Sequence, residues 1–148
     1  MEHALAVVGP DDVAKDLVQE AGELAAGVDA RLTLLCVVSE DEYNDEREAL
    51  EAIPEADVSY SVGQALEGAR SFANDIGVEM LEDVDIEYET AGAVGDRAET
   101  VLKGAENHGC DHVFMTGQRR SPTGKAIFGD VTQRVILDFE GPVTVVTA

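Results

Sequence analysis

A single α/β domain, a three-layer arrangement with a five-stranded parallel sheet and helices on both faces, is predicted by three observations. Short apolar runs and amphipathic helical stretches alternate in one series along the 148 residues, with no internal repeat and no linker. The run 31–38, Arg-Leu-Thr-Leu-Leu-Cys-Val-Val, is continuous in apolar character, as a strand covered on both faces must be. A chain of this length buries roughly 68–70% of its unfolded surface as one domain, 1–148, so a single core suffices. In such a sheet, ligands bind beyond the carboxyl ends of the strands.

The elements follow in order. Residues 4–8, Ala-Leu-Ala-Val-Val, form a first strand ended by Gly9-Pro10. Asp11 or Asp12 then caps a helix reaching about Ala26, with Val13, Leu17, Ala21, Leu24 and Ala25 at helical spacing and Gly27 in the position of a C-terminal glycine. The second strand, 31–38, ends on Val38. From Ser39 to Pro54 the chain is acidic and suits either a short helix over 42–52 or a mobile insert. A long helix fits 58–82, with Val62, Ala65, Ala69, Phe72, Ile76 and Met80 along one side. Residues 84–91 alternate Val84, Ile86 and Tyr88 against Asp85, Glu87 and Glu89, which predicts an edge strand with one wet face. Asp96-x-x-Glu99 opens a helix to about His108, closed by Gly109. The last strand is Pro142–Thr147.

Between the last two helices lies the stretch on which function turns. His112-Val113-Phe114-Met115-Thr116 reads as a buried strand. It breaks into a loop holding Gly117, Pro122, Gly124 and Gly129, and Asp130 follows as an acceptable N-cap, with Val131, Val135 and Ile136 on the apolar side of a helix. A strand, a glycine-bearing loop and a helix N-terminus together are the arrangement with which α/β proteins hold phosphate. Three of the ten basic residues, Arg119, Arg120 and Lys125, fall within seven positions of this loop.

In this stretch the chain resembles the universal stress proteins, whose ATP-binding members carry G-x2-G-x9-G-[ST] after the fourth strand. Here the pattern reads Thr116-x2-Arg119-x9-Gly129-Asp130. The spacing and the third glycine are kept; the first two glycines and the terminal hydroxyl are replaced. The resemblance implies a strand order of 3-2-1-4-5, a cytoplasmic homodimer, and a nucleotide site drawn from Gly9, Val38, Thr116, Gly117, Arg119, Arg120, Gly124, Lys125, Gly129, Asp130, Val131 and Thr132. In that site the backbone N–H groups near Gly129–Thr132 and the three cations hold the anion. Two departures weigh against ATP. Asp130 puts a carboxylate where a hydroxyl should donate, and two like charges about 4 Å apart repel by about 4 kcal/mol at an effective dielectric of 20. The first strand runs into Val7-Val8-Gly9-Pro10, without the Asp that ATP-binding members carry there. The reading is therefore a non-catalytic stress-response or regulatory protein with impaired nucleotide binding. The alternative is an ATP- or AMP-binding member with slow hydrolysis.

Other chemistries find little support. His3, His108 and His112 are scattered, without metal-ligand spacing, and His108 near a helix C-terminus suits the helix dipole. There is no G-x-S-x-G elbow, P-loop or dinucleotide fingerprint. A receiver domain would need a phospho-acceptor Asp where strand three ends Thr90-Ala91-Gly92, and a flavodoxin-like carrier would need hydroxyls where Gly9-Pro10-Asp11-Asp12 stands. Cys36 and Cys110 sit in or beside strand-like runs and read as buried thiols in a reducing compartment. The N-terminus lacks a basic segment followed by an apolar one, and no apolar run approaches 18 residues, so neither export nor a membrane span is expected. The last strand offers an uncharged edge, Val143-Thr144-Val145-Val146, while the opposite edge carries acids; this predicts a homodimer joined through Pro142–Thr147.

Thirty-one acids against ten bases, three of them lysines, give a net charge of −21. That balance excludes nucleic acid and anionic membrane as partners and fits a halophilic origin. Stability should rise strongly with salt, because screening shortens the reach of self-repulsion to about 3 Å at 1 M. Thermal melting in about 0.1 and 2 M KCl checks this; an unchanged melting temperature counts against the charge argument.

Overall fold

The computed structural model describes residues 1–52, 61–117 and 129–147. Ten elements follow in the order β1 (His3–Val7), α1 (Asp12–Gly27), β2 (Arg31–Val38), α2 (Glu40–Glu51), α3 (Val62–Met80), β3 (Tyr88–Val94), α4 (Arg97–Asn107), β4 (His112–Gly117), α5 (Asp130–Asp138) and β5 (Val143–Thr147). The strands form one five-stranded sheet in the order β3-β2-β1-β4-β5, all parallel. The fold class and strand order are as expected.

Alternation along the strands divides the core in two. Ala4, Ala6, Leu32, Leu34 and Phe114 pack on one face with Leu17, Val18 and Ala21 of α1 and Ala73 and Ile76 of α3. Leu5, Leu35, Val37, Val113 and Met115 pack on the other with Ala98, Val101 and Ala105 of α4 and Val135 of α5. Every second side chain thus serves a different helix pair, which is why β2 reads as continuously apolar. Leu24 and Val62, expected on the buried stripes, lie at their margins and are about half exposed.

Local capping sets the helix boundaries. Asp11 accepts the amide of Ala14 at 2.8 Å and starts α1. Ser39 caps α2, Asp96 caps α4, and Ser61 with Gln64 forms a reciprocal capping box that begins α3. The acidic segment after β2 is therefore helical over Glu40–Glu51, although none of its residues is buried. Residues 53–60, including the expected start of the long helix at 58, lie outside the described residues. Gly109, at φ 68°, closes α4 as expected. Gly27 does not play that part for α1: it is the last helical residue, and Asp29 takes the left-handed conformation.

The outer strand departs from its expected limits. Val84 and Ile86 do face the core and Asp85 and Glu87 do face water, but pairing with β2 begins only at Tyr88 and runs to Val94. Alternation marked the extended lead-in. The paired segment is rich in small residues, for a steric reason: α3 lies directly against it. A Cβ on Gly92 would stand 2.7 Å from the Arg70 amide nitrogen and 2.8 Å from Ala69 Cβ, and closer still to the Leu66 carbonyl oxygen. Only Glu89 of the three acids lies in the strand, so the charge difference between the two sheet edges is smaller than the sequence implies.

Gly92→Ala should therefore cost about 1–3 kcal/mol through overpacking against helix backbone. Gly68→Ala, in the same helix α3 with nothing within 4 Å of the new Cβ, should instead stabilise by about 0.5–1 kcal/mol. Denaturant unfolding at fixed salt measures both, and equal effects would refute this packing argument.

Candidate functional site

The order β3-β2-β1-β4-β5 places the reversal of chain direction between β1 and β4. The carboxyl ends of those strands therefore flank the crevice in which open α/β sheets bind ligands. Gly9 follows β1, with its Cα hydrogen facing Ala14 of α1, where a Cβ would make a 3.5 Å contact. Val38 ends β2 and pairs with Val94, its carbonyl accepting the Gly95 amide at 3.0 Å. Thr116 and Gly117 end β4, and Gly129, Asp130, Val131 and Thr132 form the start of α5. Arg119, Arg120, Gly124 and Lys125 lie outside the described residues.

The start of α5 differs from the sequence reading. Asp130 is the first helical residue and not the cap. Gly129 occupies the N-cap position at φ 88°, where an L side chain is strained, and no side chain caps the helix. The four other described helices each have a side chain accepting from their first turn. Among the described residues no side chain accepts from the first-turn amides of α5, and the Gly129 carbonyl accepts the Gln133 amide at 3.0 Å as the ladder begins. Thr132 does not face outward. It is 5% exposed, and its hydroxyl donates to the Thr116 carbonyl at 2.8 Å, tying the first turn of α5 to the end of β4. Val131 is half-buried and packs on the core shared by α4 and α5.

A second feature of this rim escaped the sequence reading. Arg97 donates to the Val37 carbonyl at 3.2 Å and pairs with Glu42, fastening the acidic helix α2 beside the end of β2. Arg134 of α5 reaches Asp96 at 3.4 Å. Cations placed on successive elements find acids across loops, and no local spacing signals that. Cys36, half-buried below this rim, has its thiol pushed up by burial, with Arg97 opposing.

Two of the three histidines, far apart in sequence, come together, while His112 bonds Thr144. His3 and His108 converge on Glu89 at the amino ends of the strands, remote from the crevice: Glu89 Oε1 lies 3.3 Å from His108 Nδ1 and 4.0 Å from His3 Nε2. Among the described residues no group of three or more His, Cys, Asp or Glu is placed to hold a metal ion. None of the described helices is long and apolar enough to cross a membrane.

A parallel five-stranded sheet in this order, with helices on both faces, defines a doubly wound α/β domain. The model of the universal stress protein family matches residues 1–147, and the chain belongs to that family. No curated protein matches the sequence. Among solved structures, a universal stress protein from Archaeoglobus fulgidus is similar over 99% of this chain and 98% of its own, at 23% identity and a TM-score of 0.69. UspA from Lactobacillus plantarum is similar over 98% and 97%, at 22% identity and a TM-score of 0.70. A universal stress protein from Archaeoglobus fulgidus in complex with dAMP is similar over 99% and 97%, at 18% identity and a TM-score of 0.63. At these identities the likeness speaks for the fold.

Proposed function

We propose that this protein is a non-catalytic regulatory member of its family, which takes up an adenine nucleotide or a small anion weakly at the β1/β4 crevice. The observation that carries the reading is the start of α5. Gly129, left-handed and without a side chain, offers the first-turn amides no cap of its own, and no other described side chain accepts from them, an arrangement suited to receiving a phosphate. Asp130 stands in the same turn. Its carboxylate enjoys the positive end of the helix dipole and so competes for the place a phosphate would take. The dAMP complex of a relative supports the ligand class, and the replaced hydroxyl supports reduced affinity. No nucleophile or general base has been found at this rim among the described residues, and the proposal is of a sensor or binder in the cytoplasm. The acidic surface favours a halophilic setting.

Homodimerisation is the second part of the proposal. β5 has a neighbour on one side only. Its five residues are all half-buried and uncharged, and the preceding α5 exposes Leu137 at 73% and Ile136 at 38%. An uncharged edge beside exposed aliphatics is suited to continuing the sheet antiparallel into a second copy across a two-fold axis.

Two measurements test these statements. Titration calorimetry of AMP and ATP at high salt should give at best weak binding, and Asp130→Ser should tighten it about tenfold; micromolar affinity in the wild type, or no gain in the variant, overturns the impairment. Sedimentation at micromolar concentration should show a dimer that Val145→Lys dissociates, whereas a monomer, or a dimer indifferent to that lysine, refutes the β5 interface.

A further inference from the structure

At the amino ends of the strands, on the face covered by α4, the structure buries a polar relay that the nucleotide reading does not use. His3, the first residue of β1, is 3% exposed, and its Nε2 lies 2.7 Å from the hydroxyl of Thr33, which is fully buried on β2. The Thr33 hydroxyl donates to Glu89 Oε1 of β3 at 2.9 Å. That direction fixes the tautomer. Thr33 has one proton and gives it to the carboxylate, so its oxygen accepts from His3, and His3 carries its proton on Nε2. Nδ1 is then a bare lone pair, and it is buried with no hydrogen-bond partner.

We propose that His3, Thr33 and Glu89 form a proton-operated latch at the amino end of β1, closed while His3 is neutral and released when His3 takes a proton. The extra proton must go on Nδ1, which has no hydrogen-bond partner in the folded chain, and it makes a buried cation; the His108 backbone favours that cation, but burial opposes it more strongly. The charged groups facing the ring come from each element around it. Arg31 of β2 repels the imidazolium; Glu89 attracts it from 4.0 Å; His108, at the C-terminus of α4, is itself paired with Glu89; Cys110 and Asp111 stand in the turn before β4. Burial, joined by Arg31, outweighs Glu89 and holds His3 below its ordinary value of 6.5. Glu89, held below its own ordinary value chiefly by the Thr33 hydroxyl, remains ionised throughout and keeps the relay polarised. A depressed histidine favours the neutral folded form, so its contribution is intact above about 6.5 and is lost as pH falls below that value.

The ring has somewhere to go. A cavity of about 180 Å³ lined by His3, Arg31, Glu87 and Glu89 lies beside it, where an imidazolium meets water and two carboxylates. What loosens is the backbone around His3. Its carbonyl accepts the Asp111 amide at 2.9 Å, and the neighbouring Glu2 carbonyl accepts the Arg31 amide at 2.9 Å. The Asp111 carboxylate holds the amides of Glu2 and His3 in return, at 3.0 and 3.2 Å. Acidification therefore frees the start of β1 from both neighbours, while Glu89 keeps its contact with His108.

Amide hydrogen exchange at fixed salt tests the latch. Protection factors of Arg31 and Asp111 should fall about tenfold or more between about pH 7.5 and 5, against unchanged amides in α3. In His3→Gln, whose amide donates from near the Nε2 position and cannot be charged, they should hold. Thr33→Val, which removes the acceptor with little change of shape, should show the unlatched values already at the higher pH. The proposal is overturned by unchanged protection in the wild type, by a fall spread evenly over the sheet, by an equal fall in His3→Gln, or by Thr33→Val behaving as wild type. Should His3→Gln not fold, Thr33→Val decides alone.

Discussion

Every other feature of this molecule depends on the burial of a parallel sheet on both faces. A parallel ladder needs crossovers, the crossovers here are helices, and the inner strands consequently touch protein above and below. β1 shows the result most plainly: Ala4 and Ala6 look toward α1, Leu5 toward the α4 side, and all three are fully buried. With no tryptophan and few aromatics, the layers must come close to leave no voids. Alanine lines the inner sides of α1, α3 and α4, and Phe114 is the one large ring among the fully buried side chains. The close approach of α3 to β3 at Gly92 belongs to the same economy of volume.

Most purely local sequence signals matched the structure, Gly27 and Asp130 being the exceptions, whereas features that depend on partners far along the chain were not legible. Asp11, Asp96 and Gly109 stand in the capping positions expected of them, because a cap needs only its own first or last turn. The strand order came from the family resemblance, since nothing local distinguishes 3-2-1-4-5 from other parallel orders. β3 was displaced because its lead-in alternates cleanly, whereas its paired half carries no alternation: Gly92 lies against α3, while Ala91 and Ala93 pack on the core of α4 and α5. Asp130 illustrates a subtler failure. Asp is a good cap, but the glycine before it takes a left-handed conformation and the cap position, which moves the helix start one residue earlier. The relay through His3, Thr33 and Glu89 was invisible, because three strands must first be set in register.

Charge and fold are largely separate in this protein. The acids concentrate on exposed faces, and α2 is the extreme case: seven acids, one arginine and no fully buried residue. The pair between Glu42 and Arg97 is one of its tethers, an exposed contact of a kind that contributes little by itself and less as salt rises. High salt thus relieves the repulsion among the acids while loosening this tether. The balance falls to the repulsion, because many uncompensated charges weigh against a handful of pairs.

The two ends of the sheet embody opposite solutions to buried polarity. At the carboxyl end, α5 begins without a side-chain acceptor among the described residues, its cap position held by Gly129. At the amino end, polarity is closed on itself. Thr33 gives its proton to Glu89 and accepts from His3, and the chain ends at a lone pair that satisfies no donor. In the functions proposed above, the first arrangement would respond to anions and the second to protons. Both follow from the same geometry, since the ends of a doubly covered parallel sheet are the only places where its strands can present polar groups without breaking the core. A protein built this way can carry two independent inputs on one rigid sheet, separated by the length of its strands.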